Sequence, residues 1–219
     1  MYGLVGDTTF RNPRQKAIRV RCVCEQCNMG WMKKLEDAVI PAAGSMMHDL
    51  AIPLDAEQQQ RLSLWAMKSA MVWEHLINLS APIFYSDTER YQLRESSTMP
   101  SLTAVWLARY SGVNELYSQG IKLRTDASVN AVHGYTTTIA YRYLAIQILS
   151  IRVSKNEKRV AIVDPNPGPW GDATVRIWPT RRTIGWPPRL TLDGSSLSFD
   201  DFVERWSPTS RSRRPLVGF

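Results

Sequence analysis

The 219-residue chain lacks any run of about eighteen consecutive apolar residues, so a membrane-spanning helix is not expected. Its opening stretch, MYGLVGDTTFRNPRQ, holds no apolar segment of the length a signal peptide needs. Cysteine is scarce and confined to one place: Cys22, Cys24 and Cys27 are the whole complement. Secreted proteins use cysteine to join distant segments, whereas a cluster this tight fits reduced thiols in a cytosol, with a metal as one use for them. Histidine is equally sparse, at His48, His75 and His133, and none precedes Cys22. Three enzyme signatures are missing as well: there is no Gly-rich phosphate loop, no Gly-x-Ser-x-Gly and no His-Glu-x-x-His. Asp200, Asp201 and Glu204 form an acidic group, but at the start of an expected helix the backbone dipole accounts for them. No internal repeat is found. A cytoplasmic globular protein without membrane contact is the expectation.

What is present begins with ordinary globular composition, 44% hydrophobic and 21% charged, enough to bury one good core or two small ones. The net charge of +7 is unevenly spread. Residues 11–34 carry seven Arg and Lys against Glu25, and residues 205–219 carry Arg205, Arg211, Arg213 and Arg214 with no acid. Those segments contribute +6 and +4, which leaves −3 for the remainder. A mildly acidic body with two basic ends suits a polyanion such as DNA or RNA phosphate; the alternative is a solubilising surface with a mobile tail.

Residues 1–18 read as irregular and polar. Ala17–Val23 alternates apolar and polar side chains, as a short half-buried strand does. Asn28 is placed to cap a helix carrying Trp31, Leu35 and Val39 on one side, with Pro41 and Gly44 ending it. Asp55 and Gln58 form a capping box for a helix over about 55–79 that is apolar on nearly every face, hence surrounded by protein. Thr103–Tyr110 is rich in β-formers. The run Tyr135–Ile151 is too long for one strand and breaks into two near Arg142. Arg159–Val163 and Ala173–Trp178 are further strands, separated by a turn-rich segment at 164–171. Ser198 caps a short helix whose Phe199, Phe202, Val203 and Trp206 face inward. The fold class is therefore α+β: a small N-terminal element over 1–45, an α+β body over 46–207 with a buried central helix and a C-terminal antiparallel sheet over about 103–190, and a basic tail over 208–219.

Cys24-Glu-Gln-Cys27 has the spacing that offers two thiolates to a tetrahedral zinc, and it supplies half of a site. Cys22 as a third ligand and His48 as a fourth are the alternatives within the chain, both at unusual spacing; reduced, packed cysteines are the other reading. The surrounding residues, Arg21-Cys-Val-Cys-Glu-Gln-Cys-Asn-Met-Gly-Trp-Met-Lys-Lys-Leu-Glu36, resemble a Cys-x2-Cys-Asn-x-Gly-Trp-Met segment of bacterial and phage HNH-endonuclease-like proteins. Leu64-Trp-Ala-Met-Lys-Ser-Ala-Met-Val-Trp-Glu74 is similar to the helix that follows it there, and Ile177-Trp-Pro179 and Gly185-Trp-Pro-Pro188 to the closing region.

The resemblance implies a ββα-metal element. In such families a Cys-x2-Cys upstream completes a structural zinc, and an upstream Glu-His or Asp-His supplies the general base that activates water beside a divalent metal. Here neither a cysteine nor a histidine precedes Cys22, so the sequence departs from the pattern; a longer parent protein and a variant that dropped the nuclease centre both fit. The expectations are these. Cys24 and Cys27, with Cys22, are residual ligands for a structural zinc; no catalytic residue and no catalytic divalent metal are assigned. Arg19, Arg21, Asn28, Lys33 and Lys34 are the nucleic-acid-binding candidates, with DNA as partner. The competing function is a non-catalytic module, a subunit or inhibitor, using some of the eight tryptophans (Trp170, Trp178 and Trp186 among them) as anchors for a protein partner; filling the core is their other use.

Overall fold

A computed structural model describes residues 2–11, 22–77, 83–112, 116–125, 133–152, 162, 169–193 and 197–206. It shows the α+β architecture, N-terminal helices followed by an antiparallel sheet. The helical run begins at Cys24 rather than at Asn28. Cys24 is extended (φ −70°, ψ 156°) and its sulfur accepts the Cys27 N–H at 3.3 Å, so a thiol performs the capping that the sequence assigns to Asn28. Asn28 already has helical angles, and its N–H goes to the Cys24 carbonyl at 3.0 Å. From α1 (Glu25–Cys27) the chain passes through a wider π turn at Asn28–Met32, kinked at Gly30 (φ −94°, ψ −108°), into α2 (Lys33–Met47).

α2 does not stop at Pro41 and Gly44 but continues through both. Val39, Ala42, Ala43 and Met46 are buried on one side of it, and an interior proline costs about 3 kcal/mol, less than the packing of four such residues returns. After a short strand β2 (Ile52–Leu54), the central helix α3 runs from Ala56 to Ile77. Its capping box is present: Asp55 Oδ1 accepts the Gln58 N–H at 2.8 Å, and Gln58 Oε1 accepts the Asp55 N–H at 3.0 Å. From Leu62 to His75 no residue is exposed, because α2 and α4 (Asp87–Ser96) flank the helix and the sheet lies beneath it.

The sheet contains β3 (Thr103–Tyr110), β4 (Tyr117–Thr125), β5 (His133–Tyr141), β6 (Leu144–Arg152) and β7 (Thr174–Trp178). The break near Arg142 is a two-residue hairpin turn, with Arg142 at φ 53°. One strand is a correction. Tyr2–Arg11, read from sequence as irregular, is β1 and pairs antiparallel with β4, so the order is β1-β4-β5-β6-β3-β7. Its partner lies more than a hundred residues away, and local alternation carries no record of so distant a pairing. Of the strand expected over 159–163 only Ile162 is among the described residues, and it is buried. Most of the turn-rich 164–171 also lies outside them; its end opens α5 (Pro169–Ala173). β8 (Ile184–Trp186) pairs with β2, and β9 (Thr191–Leu192) continues the β3 edge in parallel.

Both faces of the sheet are covered, which is why β6 is buried at every residue from Leu144 to Ile151 rather than at alternate ones. Val105, Leu107, Ile146 and Ile148 pack toward α2 and α3, while Ala104, Trp106 and Leu149 pack toward α6 (Phe199–Glu204) and Trp206. As expected, the Ser198 side chain caps α6, accepting the Asp201 N–H at 2.9 Å, and Phe202, Val203 and Trp206 are buried. Gln147, fully buried in β6, holds this helix down. Its Oε1 accepts from Arg205 Nε at 2.5 Å and Trp206 Nε1 at 2.8 Å, and its Nε2 donates to the carbonyls of Phe202 and Val203 at 2.8 and 3.2 Å. Arg205, counted above with the basic segment 205–219, is thus an interior cation stacked on aromatic rings, including that of Trp106 at 4.8 Å. Among the described residues no helix is long and apolar enough to cross a membrane.

Candidate metal and thiol site

The three cysteines line one cavity of about 410 Å³. Cys24 is exposed, and Cys22 and Cys27 are half-buried. None of them belongs to the apolar core. The far wall comes from Met71 and Val72 of α3 and from Arg90, Tyr91 and Arg94 of α4. The knuckle reaches this wall because Trp31 and Leu35, one and two turns on, pack against the core cluster beneath α3.

The cations around the cavity are held by carboxylates. Lys68, itself buried, pairs with Glu36 of α2. Arg94 pairs with the exposed Glu95 at 3.0 Å. Arg90 donates from Nη2 to Glu74 at 3.0 Å and from Nη1 to the Met71 carbonyl at 2.8 Å. Glu74 is 2% exposed and also accepts the N–H groups of Phe84 and Tyr85. That single carboxylate therefore ties the start of α4, and with it the Arg90–Arg94 face, to α3.

The thiols differ. Cys24 is held below an ordinary thiol because Cys27 directs both its S–H and its backbone N–H at the Cys24 sulfur. Cys27, as the donor, is pushed up. The Arg94 cation pulls on both in the same direction, downward. Burial raises the thiol of Cys22, with Arg90 opposing it. This arrangement does two things chemically: it aims a pair of adjacent sulfurs at an accessible cavity, and it makes them unequal.

Of the sequence candidates, the structure brings Cys22, Cys24 and Cys27 together. Asn28, Lys33 and Lys34 are exposed on the following turns, but Lys33 is engaged with Asp37 at 3.0 Å. Arg19 and Arg21 lie outside the described residues, as does most of the expected strand leading into Cys22. His48 cannot complete a metal site here. It sits just past the end of α2, whose 15 residues alone span about 22 Å, and it faces Arg142 Nη1 at 3.0 Å. His75 lies on α3 outside the cavity lining, and His133 opens β5. Zinc is tested by the donor set: the sulfurs of Cys24 and Cys27 suit two of its four positions, but among the described residues no group of three or more His, Cys, Asp or Glu is placed to hold an ion.

The sequence reading missed the wall residues Arg90, Tyr91 and Arg94. Their signal was available in Ser86-Asp-Thr-Glu89, a capping box that the structure forms in full, with Glu89 Oε2 accepting the Ser86 N–H at 2.8 Å. None of the eight tryptophans is exposed. Trp186 is buried, Trp170 and Trp178 are half-buried, and the exposed large apolar side chains are others, Met29 and the cavity-lining Tyr91 among them. Comparison with protein-family models, with curated proteins and with solved structures returns no match.

Proposed function

We propose that this chain is a nucleic-acid-binding protein of the HNH-nuclease lineage, with duplex DNA as its partner and no hydrolytic activity of its own. The observation that carries the reading is the knuckle: Cys24 and Cys27 occupy the first turn of a helical run, exposed to an open cavity, with Asn28 and the lysines of α2 directly behind. Cysteines that merely fill space sit in apolar packing, and these do not. In this reading Cys24 and Cys27 hold a structural zinc as half of its ligand set, the part that their spacing supplies. The metal supplies folding energy to the knuckle and no chemistry.

The basic segment 11–21 and the arginines of 211–214 supply the attraction for phosphate. The test is binding to a fluorescent DNA duplex across a salt series, with elemental analysis of the same preparation. If about four to six phosphates are neutralised, log affinity falls with log salt at roughly −0.9 per contact. A flat salt response refutes the DNA reading, and protein free of zinc after growth with zinc refutes the metal reading.

A further inference from the structure

The cysteine pair supports an activity that needs no metal. We propose that Cys24 and Cys27 form a dithiol–disulfide couple that exchanges electrons with small disulfides, Cys24 being the sulfur that attacks and Cys27 the one that resolves. Three features of the geometry point to this. Cys24 is the cap residue and Cys27 follows it by three positions, the separation at which a cap side chain meets the first turn of its helix. The Cys27 N–H already reaches the Cys24 sulfur at 3.3 Å, and both residues line the same cavity. Access is unequal in the order the reaction requires: Cys24 is exposed, Cys27 is half-buried behind it, and the cavity gives an incoming disulfide room beside them.

The chemistry balances as follows. The Cys24 thiolate attacks one sulfur of a small disulfide; that sulfur–sulfur bond breaks, one thiolate leaves and takes a proton from water, and a mixed disulfide remains on Cys24. Cys27 then gives its proton to solvent and attacks the Cys24 sulfur, expelling the second small thiol. Two electrons pass from the cysteine pair to the disulfide, and the protein keeps a Cys24–Cys27 bond. Excess small thiol reverses both steps. Cys22 is the bystander, half-buried and two residues before the turn. Were the pair to hold zinc, both sulfurs would be engaged as thiolates, so metal occupancy and disulfide formation would exclude each other.

The experiment uses the full chain, reduced, stripped with a chelator and mixed with oxidised glutathione; reaction is stopped with an alkylating agent and read by intact mass and fragment mass spectrometry. Wild type and Cys22→Ser are expected to lose two hydrogens, retain no glutathione and show the Cys24–Cys27 linkage. Cys27→Ser is expected to stop at one glutathione on Cys24, and Cys24→Ser to react about tenfold more slowly. The proposal is overturned if wild type retains glutathione, if the bond uses Cys22, or if Cys24→Ser reacts as fast as Cys27→Ser. It is also overturned if folded wild type closes the bond no faster than the same chain in urea, a comparison that needs no variant to fold. Metal content is measured separately, so failure of the zinc reading and failure of exchange are told apart.

Discussion

Replacing Glu74 by alanine removes the carboxylate that joins α3 to α4. Three donors lose their acceptor at once: the Phe84 and Tyr85 backbone N–H groups and Arg90 Nη2. The pair is largely sheltered, the Glu74 side chain 2% exposed and that of Arg90 21%, so solvent does not replace the carboxylate at the donors. Arg90 keeps its bond to the Met71 carbonyl at 2.8 Å, which moderates the loss. Breaking a buried pair on one side costs about 3–5 kcal/mol, and the partial access of Arg90 places this one near the low end, about 3 kcal/mol. For a chain of this size that is a fall in Tm of roughly 6–12 °C. Glu74→Gln keeps the side-chain carbonyl for the loop but not the charge, and about half the loss is expected. Urea unfolding followed by fluorescence reads both, with the midpoint shifting and the slope unchanged. Because Glu74 positions the Arg90–Arg94 face, alkylation of Cys22 in the native Glu74→Ala protein should also quicken. A loss under about 1 kcal/mol with Cys22 access unaltered refutes the view that this carboxylate builds the cavity wall.

Two further outcomes follow from buried or half-buried polar groups. Gln147→Leu keeps the volume but strips four hydrogen bonds from α6 and its flank, among them those to Arg205 and Trp206, and about 3 kcal/mol should be lost in urea unfolding; a change within experimental error refutes the stapling role. His75 is held below the ordinary imidazole value of 6.5, first by burial and then by Arg90. The unfolded chain therefore takes up the proton more readily, and the His75 contribution, fully present above 6.5, is lost as pH falls through it. The midpoint of His75→Asn should depend less on pH than wild type just below that value, and an identical pH profile refutes this.

The parts of the fold that could be read in advance are those whose determinants are close in sequence. Asp55 and Gln58 sit three residues apart and satisfy each other's backbone, and Ser198 does the same for Asp201, so both helix starts were legible. The β5–β6 hairpin was legible because a seventeen-residue run rich in β-formers is too long for one strand. β1 escaped because its partner β4 is remote, and β4 itself, Tyr-Ser-Gln-Gly-Ile-Lys-Leu-Arg-Thr, alternates around a glycine that weakens the pattern. The end of α2 was misplaced because a local rule about proline competes with burial against α3, which only the assembled protein contains. The candidate site divides along the same line. Its sulfurs are three residues apart and visible as a motif; the wall opposite them comes from α3 and α4 and exists only once Glu74 has brought those helices together.

The charge balance bears on where a polyanion would be contacted. Within 22–47 the two lysines, Lys33 and Lys34, face three carboxylates, Glu25, Glu36 and Asp37. Lys33 is spent on Asp37, and Glu36 on the buried Lys68. The knuckle and its helix therefore contribute almost no net attraction, and the excess positive charge of the N-terminal third belongs to residues 11–21, where Arg11, Arg14, Lys16, Arg19 and Arg21 occur without an acid. At the other end, Arg205 is already consumed in the core, which leaves Arg211, Arg213 and Arg214. If DNA is the partner, the salt slope must be carried by these flanking arginines. Replacing Arg19 and Arg21 together by alanine should flatten it by about two contacts, whereas Lys33→Ala should flatten it by less than one, since the Asp37 carboxylate 3.0 Å away offsets the local charge of that ammonium. The reverse ranking, with Lys33 dominant and the arginines silent, would mean that the helix face reads phosphate through a geometry in which Asp37 has let go.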